Sequence, residues 1–372
     1  MRFSEIGGLS EVRSKLVHAV QNTQIPHAQL FMGKKGSPNL SLALAYATFL
    51  NCETPTETDS CGTCASCVKI DKYVHPDIHF VFPVSTTKNV TGKDVISASF
   101  LKEWRSFLIE SPFGDVNQWA AAFGGEDKQV NISKEESRQI IKNLSLKSFE
   151  AKYKVMIIWL PEFMHPSAAN GILKILEEPP EKTVFLLVSN DHEKLLTTIL
   201  SRTQIVTVPK FTDQELASIL KEKHQLQDKR AQQIAHLADG DLNTALRLVN
   251  NIDNDSHALF ANWMRQCFKR DFTGMVQHSD SFHTMNKVAQ KSLLLYAMTM
   301  LRESLVRSST PELARINGKE GEFLKNFSKV MSADKVFLIS EKLNQAHYHL
   351  ERNASAKMLF LNLSLQISKI IK

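Results

Sequence analysis

Leu9, Val12, Leu16 and Val20 recur every three or four residues and predict a helix that ends before a loop over residues 22–27. Leu30, Phe31 and Met32 then form an unbroken apolar run, the mark of a short buried strand. Leu40, Ala43, Leu44, Ala47 and Leu50 return to helical period, and a glycine turn joins the two elements. Strand, turn and helix in that order make a β-turn-α unit. Apolar runs at 78–82, 155–158, 184–188 and 205–208 predict further strands. Ser133-Lys134-Glu135-Glu136 reads as a capping box for a helix through Leu144. Ala168, Ile172, Leu173 and Leu176 mark another helix, which Pro179-Pro180 must end. Strands without polar alternation, separated by helices, predict a parallel sheet covered on both faces.

Residues 85–127 break this rhythm. Trp104, Phe107 and Leu108 suggest one short amphipathic helix and Gly124-Gly125 a turn, with nothing more assigned. Beyond Pro209 the strand signals fade. Phe211 and the box from Thr212 to Glu215 open a helix to about Glu222, followed by helical periods over 231–238 and 242–249. From His257 onward long helical stretches dominate and read as a bundle. The expected organisation is an α/β domain over 1–209, a small helical domain over 210–252 and an all-α bundle over 257–372.

Composition narrows the class without choosing a function. The chain has 372 residues, 43% hydrophobic and 23% charged, which is globular and long enough for two or three domains. A formal charge of +6 permits contact with nucleic acid but does not locate a groove. There is no apolar run of membrane-spanning length and no secretory pattern at Met1–Leu9, so a cytoplasmic protein with no membrane partner is expected.

Four of the five cysteines lie close together. Cys52, Cys61, Cys64 and Cys67 follow the pattern C-x8-C-x2-C-x2-C, while Cys267 stands alone in an apolar run as a small buried hydrophobe. Two C-x2-C steps let thiolates converge on one ion, and four of them close a tetrahedral shell with no position for water. The expectation is one structural zinc, with an iron–sulfur cluster or disulfides as the alternatives. Gly62 and Pro55 keep this segment out of regular structure.

The glycine turn has the outline of a phosphate-binding loop without its chemistry. Such a loop needs glycines so that backbone N–H groups can curl round phosphates, a lysine to reach them, and a hydroxyl for magnesium. Here the loop reads Gly33-Lys34-Lys35-Gly36-Ser37-Pro38-Asn39-Leu40. Gly33 and Gly36 are in place, but Pro38 removes a donor, Asn39 offers no cation and Leu40 cannot ligate magnesium. An ordinary glycine turn is the equal alternative for this segment alone. The strand 155–158 is followed by Trp159 and Leu160, with no carboxylate before Glu162. Productive ATP binding and hydrolysis are therefore not expected.

Together these features resemble the delta-prime-type subunits of bacterial DNA polymerase III clamp loaders, a family within the AAA+ superfamily. The resemblance covers most of residues 5–250. It rests on Ile25-Pro26-His27-Ala28, the degenerate loop, the four cysteines and His75-Pro76-Asp77. It continues in the run Asn170–Pro180, with its Leu176-Glu177-Glu178-Pro179-Pro180 ending, and in Ser201-Arg202-Thr203. It implies a RecA-like domain, a three-helix lid and a C-terminal helical collar. It also implies a noncatalytic end subunit of an open five-membered ring with delta and tau or gamma subunits, which places a sliding clamp on primer–template DNA. By the same resemblance Arg202 is a trans-acting arginine finger, and Asn243 stands where the motor subunits carry a nucleotide-sensing arginine. The competing readings are an active clamp-loader ATPase of the tau/gamma type and a zinc-bearing nucleic-acid-binding module. The sparse aromatic and basic residues beside the cysteines (Lys69, Lys72 and Tyr73) weigh against the module.

Overall fold

The computed structural model describes residues 1–125, 128–251, 256–285, 287–310, 318–351 and 354–371. The expected segment ends at Asp127, Ile252 and Lys372 lie outside the described residues. The chain forms two compact units, residues 1–226 with 239–244 and residues 227–238 with 245–372.

The first unit is built on five parallel strands: β1 (Ala28–Met32), β2 (Ile78–Val81), β3 (Lys154–Trp159), β4 (Thr183–Ser189) and β5 (Gln204–Thr207). Their spatial order is β2-β3-β4-β1-β5, so β1 lies between the last two strands of the sequence. The apolar runs account for the centre of the sheet, since β3 and β4 are buried along their whole length. β5 differs from the expectation of a two-face-buried strand: it is an edge strand, largely exposed, with Ile205 facing solvent.

The helix Asn39–Leu50 follows β1 and is buried on every side, which explains why its sequence is apolar all round. The helix Pro166–Glu177 starts on a proline at its first position, where no N–H is needed, and stops ahead of Pro179-Pro180. Its Ile172 and Leu176 pack with Ile140 and Leu144 of the helix Lys134–Ser145 over Met156, Ile158, Phe185 and Leu187 of the sheet.

One local expectation fails for a physical reason. The helix Lys134–Ser145 forms, but the capping box at Ser133 does not, because the Ser133 hydroxyl accepts no cap hydrogen bond. Glu136 instead reaches out of the helix and accepts the backbone N–H of Ser97 at 2.7 Å. The box at Thr212 is made: its hydroxyl accepts from Glu215 N–H at 3.2 Å, and Glu215 accepts from Thr212 N–H at 2.9 Å. That caps the helix Asp213–His224.

Among the described residues the second unit is built from helices and their connections, with no strand. Helices Asp228–Ala238, Ser256–Lys269, Phe272–Thr284, Lys287–Ser309, Gly318–Phe327, Ala333–Glu351 and Ala356–Ile371 belong to it. Its core centres on Phe360, whose ring lies 4.2 Å from that of Phe282 and 4.5 Å from that of Trp263. Cys267 is buried in the same core and its thiol is pushed up to about 12 by burial, so it is a packing residue as expected.

Candidate functional site: the degenerate phosphate loop and the cysteine cluster

The phosphate-loop segment sits between the end of β1 and the helix Asn39–Leu50, the position an anion site requires. Its interior is occupied by protein. Asn39, only 3% exposed, turns its side chain across to the end of β4. Its Nδ2 donates to the Ser189 carbonyl at 2.9 Å and to Asn190 Oδ1 at 3.0 Å. Where a lysine would extend toward phosphate, a short amide fastens the loop to the sheet. Gly36 takes a left-handed φ of 92°, and a Cβ there would lie 2.7 Å from the Asp241 side chain. A carboxylate therefore rests against the turn that would cradle an anion.

A cavity of about 30 Å³ remains, with Lys35, Asp115 and Asp241 as its charged lining residues. Sites for small ligands and cofactors commonly enclose about 300–1,000 Å³. The space accepts on the order of one water, and two carboxylates against one lysine disfavour a phosphate further.

The end of β3 completes this picture. Trp159 is buried where a magnesium-binding carboxylate would be needed, with its ring 5.1 Å from that of Trp104 and 6.0 Å from that of Phe107. Glu162, the first carboxylate after the strand, is pushed above its usual range by burial and accepts the Asn190 N–H at 2.9 Å. It does not line the cavity.

The cysteines meet as their spacing requires. The sulfurs of Cys52, Cys61, Cys64 and Cys67 all lie within 4.8 Å of one another, and Cys61 Sγ is 3.9 Å from Cys67 Sγ. That is nearly twice a disulfide bond length of about 2.05 Å. It is close to the ~3.8 Å ligand separation of a tetrahedral ion with metal–sulfur bonds of about 2.3 Å. Backbone N–H groups point at sulfur: Cys61 N–H to Cys52 Sγ at 3.2 Å, Cys64 N–H to Cys61 Sγ at 3.3 Å, and Cys67 N–H to Cys64 Sγ at 3.4 Å. Such donors favour thiolate, the form that binds metal, so the donor set fits one four-coordinate ion. The segment is less irregular than expected: Cys64 caps the helix Ala65–Asp71, which carries Cys67.

Arg202 lies after the short helix Thr197–Leu200 and just before β5. Its side chain is 31% exposed and forms an ion pair with Glu177, Nε to Oε2 at 2.9 Å. Nη1 donates to the Thr198 carbonyl at 3.1 Å. One edge of the guanidinium is thus fixed by contacts within the chain, with Glu177 drawn from the end of the helix Pro166–Glu177.

A family model described as DNA polymerase III, delta subunit, matches residues 8–212, more than half of the chain. The chain belongs to this clamp-loader family of AAA+ proteins. The tau subunit of DNA polymerase III from Bacillus subtilis is 23% identical over 382 residues, covering 96% of this chain and 60% of that protein. The tau subunit from Escherichia coli K12 is 29% identical over 254 residues, covering 67% of this chain and 32% of that protein. The chain therefore spans between about a third and three fifths of these relatives' lengths. Among solved structures, a gamma subunit-related protein from Thermotoga maritima aligns over 97% of this chain and 99% of its own, at 16% identity and a TM-score of 0.38. The DNA clamp loader delta protein of Bacillus subtilis aligns over 96% of this chain and 99% of its own, at 12% identity and a TM-score of 0.34.

Within this clamp-loader chain the His75-Pro76-Asp77 motif is structural. His75 is buried and its Nδ1 accepts the Asp77 N–H at 3.1 Å. Burial alone would raise Asp77, but its carboxylate accepts the N–H groups of Phe149, Glu150 and Ala151 at 2.7–2.8 Å and ends below the usual range. Asn243 does not stand free over the loop: its Nδ2 donates to Gln118 Oε1 at 2.7 Å. Gln118 belongs to a second helix, Val116–Ala122, that the sequence reading missed. The available signal was aromatic content, because three of the four tryptophans fall at 104, 119 and 159.

Proposed function

We propose that this chain is a noncatalytic, delta-prime-like subunit of a DNA polymerase III clamp loader. It supports ATP-dependent loading of a sliding clamp onto primed DNA without turning over ATP itself. The observation that carries this reading is the closed phosphate loop: Asn39 tied to β4, Asp241 against Gly36, and about 30 Å³ of remaining space. An active motor of the tau/gamma type would need room for a triphosphate and a magnesium carboxylate, and Trp159 stands in the carboxylate's place.

Its partners in this reading are delta and tau or gamma subunits, with clamp and primer–template DNA engaged through the assembled cytoplasmic complex. The contribution to catalysis is made in trans by Arg202. A guanidinium stays charged and presents a fixed fork of donors, which suits charge building up on a transferred phosphoryl group. The pairing with Glu177 supports this assignment by holding the group at the lip of β5 rather than burying it. Cys52, Cys61, Cys64 and Cys67 hold a structural zinc, which stiffens the segment between the helix Asn39–Leu50 and β2. The division into 1–209, 210–252 and 257–372, as core, lid and collar, belongs to the same proposal.

The direct test uses the purified chain alone. Titration with a fluorescent ATP analogue in magnesium should give no saturable binding in the micromolar range, and turnover should not exceed that of a Gly36→Trp control. Saturable binding with turnover that copurifies with the chain would overturn the noncatalytic reading.

A further inference from the structure

We infer that residues 97–123 act as an internal ligand of the degenerate nucleotide site, filling it and tying the phosphate loop to the Asp239–Thr244 stretch. The inference rests on reading Gly33–Leu40 as a former phosphate site, and it assigns a task to a segment that the sequence left unexplained.

The segment is seated at both ends and along its length. At its start the Ser97 N–H donates to the buried Glu136 at 2.7 Å, and the Ser97 hydroxyl donates to the Phe82 carbonyl at 3.1 Å. Its helix Leu101–Glu110 lays Trp104 on Phe82 with ring centres 4.2 Å apart and Trp159 alongside at 5.1 Å. Its helix Val116–Ala122 sets Trp119 perpendicular to Phe82 at 5.0 Å, and Trp119 Nε1 donates to the Pro83 carbonyl at 2.7 Å. The aromatic stack thus occupies the end of the sheet where magnesium chemistry would need carboxylates.

The turn between these helices makes the contacts that matter. Pro112, Phe113, Gly114 and Asp115 line the residual cavity over the loop. Ser41, in the first turn after the loop, donates its hydroxyl to the Pro112 carbonyl at 2.7 Å. That hydroxyl is one place beyond the position that would serve magnesium, and it is spent on the turn. Gly114 passes so close to Phe107 that a Cβ would lie 2.6 Å from the ring, so the turn needs a glycine to fit. On the other side Gln118 Oε1 accepts from both Asn243 Nδ2 at 2.7 Å and Asp115 N–H at 2.9 Å. Asp241, against Gly36, is held by Thr244, whose hydroxyl donates to it at 2.8 Å. Side-chain hydrogen bonds therefore join the first turn of the helix after the loop to the segment and the segment to the 239–244 stretch, while Asp241 packs against the loop itself at Gly36. A site bridged in this way keeps one conformation whether or not ATP is present.

The test is amide hydrogen exchange on the full chain, read over residues 34–41 and 239–246, with and without millimolar magnesium–ATP as the probe. The wild type should be protected in both stretches and unchanged by ATP. Gln118→Ala should speed exchange in both stretches by about five- to tenfold, the factor given by losing one ordinary net hydrogen bond, while β3 and β4 keep their protection. Ser41→Ala, a second and milder variant, should do the same for 34–41. Unchanged exchange over both stretches in both variants would overturn the internal-ligand role while leaving the noncatalytic reading intact. ATP-induced protection of the wild-type loop would instead refute the closed site itself.

Discussion

Glu136 gives a quantitative test of how the segment over the loop is seated. The side chain is 3% exposed, and burial pushes its carboxyl up to about 7 from an ordinary 4.5. Because the folded pKa is the higher one, the folded protein binds the proton more tightly than the unfolded chain. The associated stability is fully present below pH 4.5 and is lost as pH rises through 7. A shift of about 2.5 units corresponds to about 3 kcal/mol, of which about 2.5 falls between pH 5 and 8. Glu136→Gln keeps an oxygen for the Ser97 N–H and removes the ionisation. Urea unfolding of the two proteins from pH 5 to 8 should show the variant gaining on the wild type by about 2–3 kcal/mol, with the gain concentrated between pH 5 and 7. A difference that stays constant across that range would refute the reasoning, because it would mean that Glu136 is ionised at no cost in its buried seat.

Other consequences are equally open to measurement. Metal analysis of protein purified without added zinc should give about one zinc per chain, and Cys64→Ser should lower that content and the melting temperature together, because the metal is folding energy for this segment. Asn39→Lys alone should not create an ATPase, since Leu40 and Trp159 still leave magnesium unsupported; measurable magnesium-dependent turnover in that variant would contradict this. Asp77→Ala strips an acceptor from three backbone N–H groups and should destabilise the protein by about 3 kcal/mol or more in chemical denaturation, with no selective effect on any nucleotide assay.

The sheet was legible because its central strands are apolar on both faces, and no helix of the period-3.6 type competes with runs such as Val155–Ile158 and Val184–Val188. The cysteine cluster was legible because ligand spacing is local: three of the four sulfurs lie within six residues of one another along the chain. The segment from 97 to 123 was not. Its helices announce an apolar face, but nothing in Trp104 or Trp119 says that the face meets Phe82 and Trp159. The box at Ser133 misleads for a related reason. A Ser-x-x-Glu signature describes a local option, and the competing donor, the Ser97 N–H, lies 39 residues away. Asn39 shows the same limit: the absence of a cation there was visible, whereas its bonds to Ser189 and Asn190 depend on a strand about 150 residues later.

In the proposed function a chain with no workable nucleotide site still serves hydrolysis at a neighbour. The most direct measurement is clamp- and DNA-stimulated ATP turnover by a reconstituted clamp loader carrying Arg202→Ala, with assembly verified by sedimentation. Losing one arginine finger should lower turnover at the adjoining motor site by about 10³-fold or more and leave the other motor sites near their normal rates. Intact assembly with unchanged turnover at that adjoining site would contradict the account and leave Arg202 as the structural partner of Glu177.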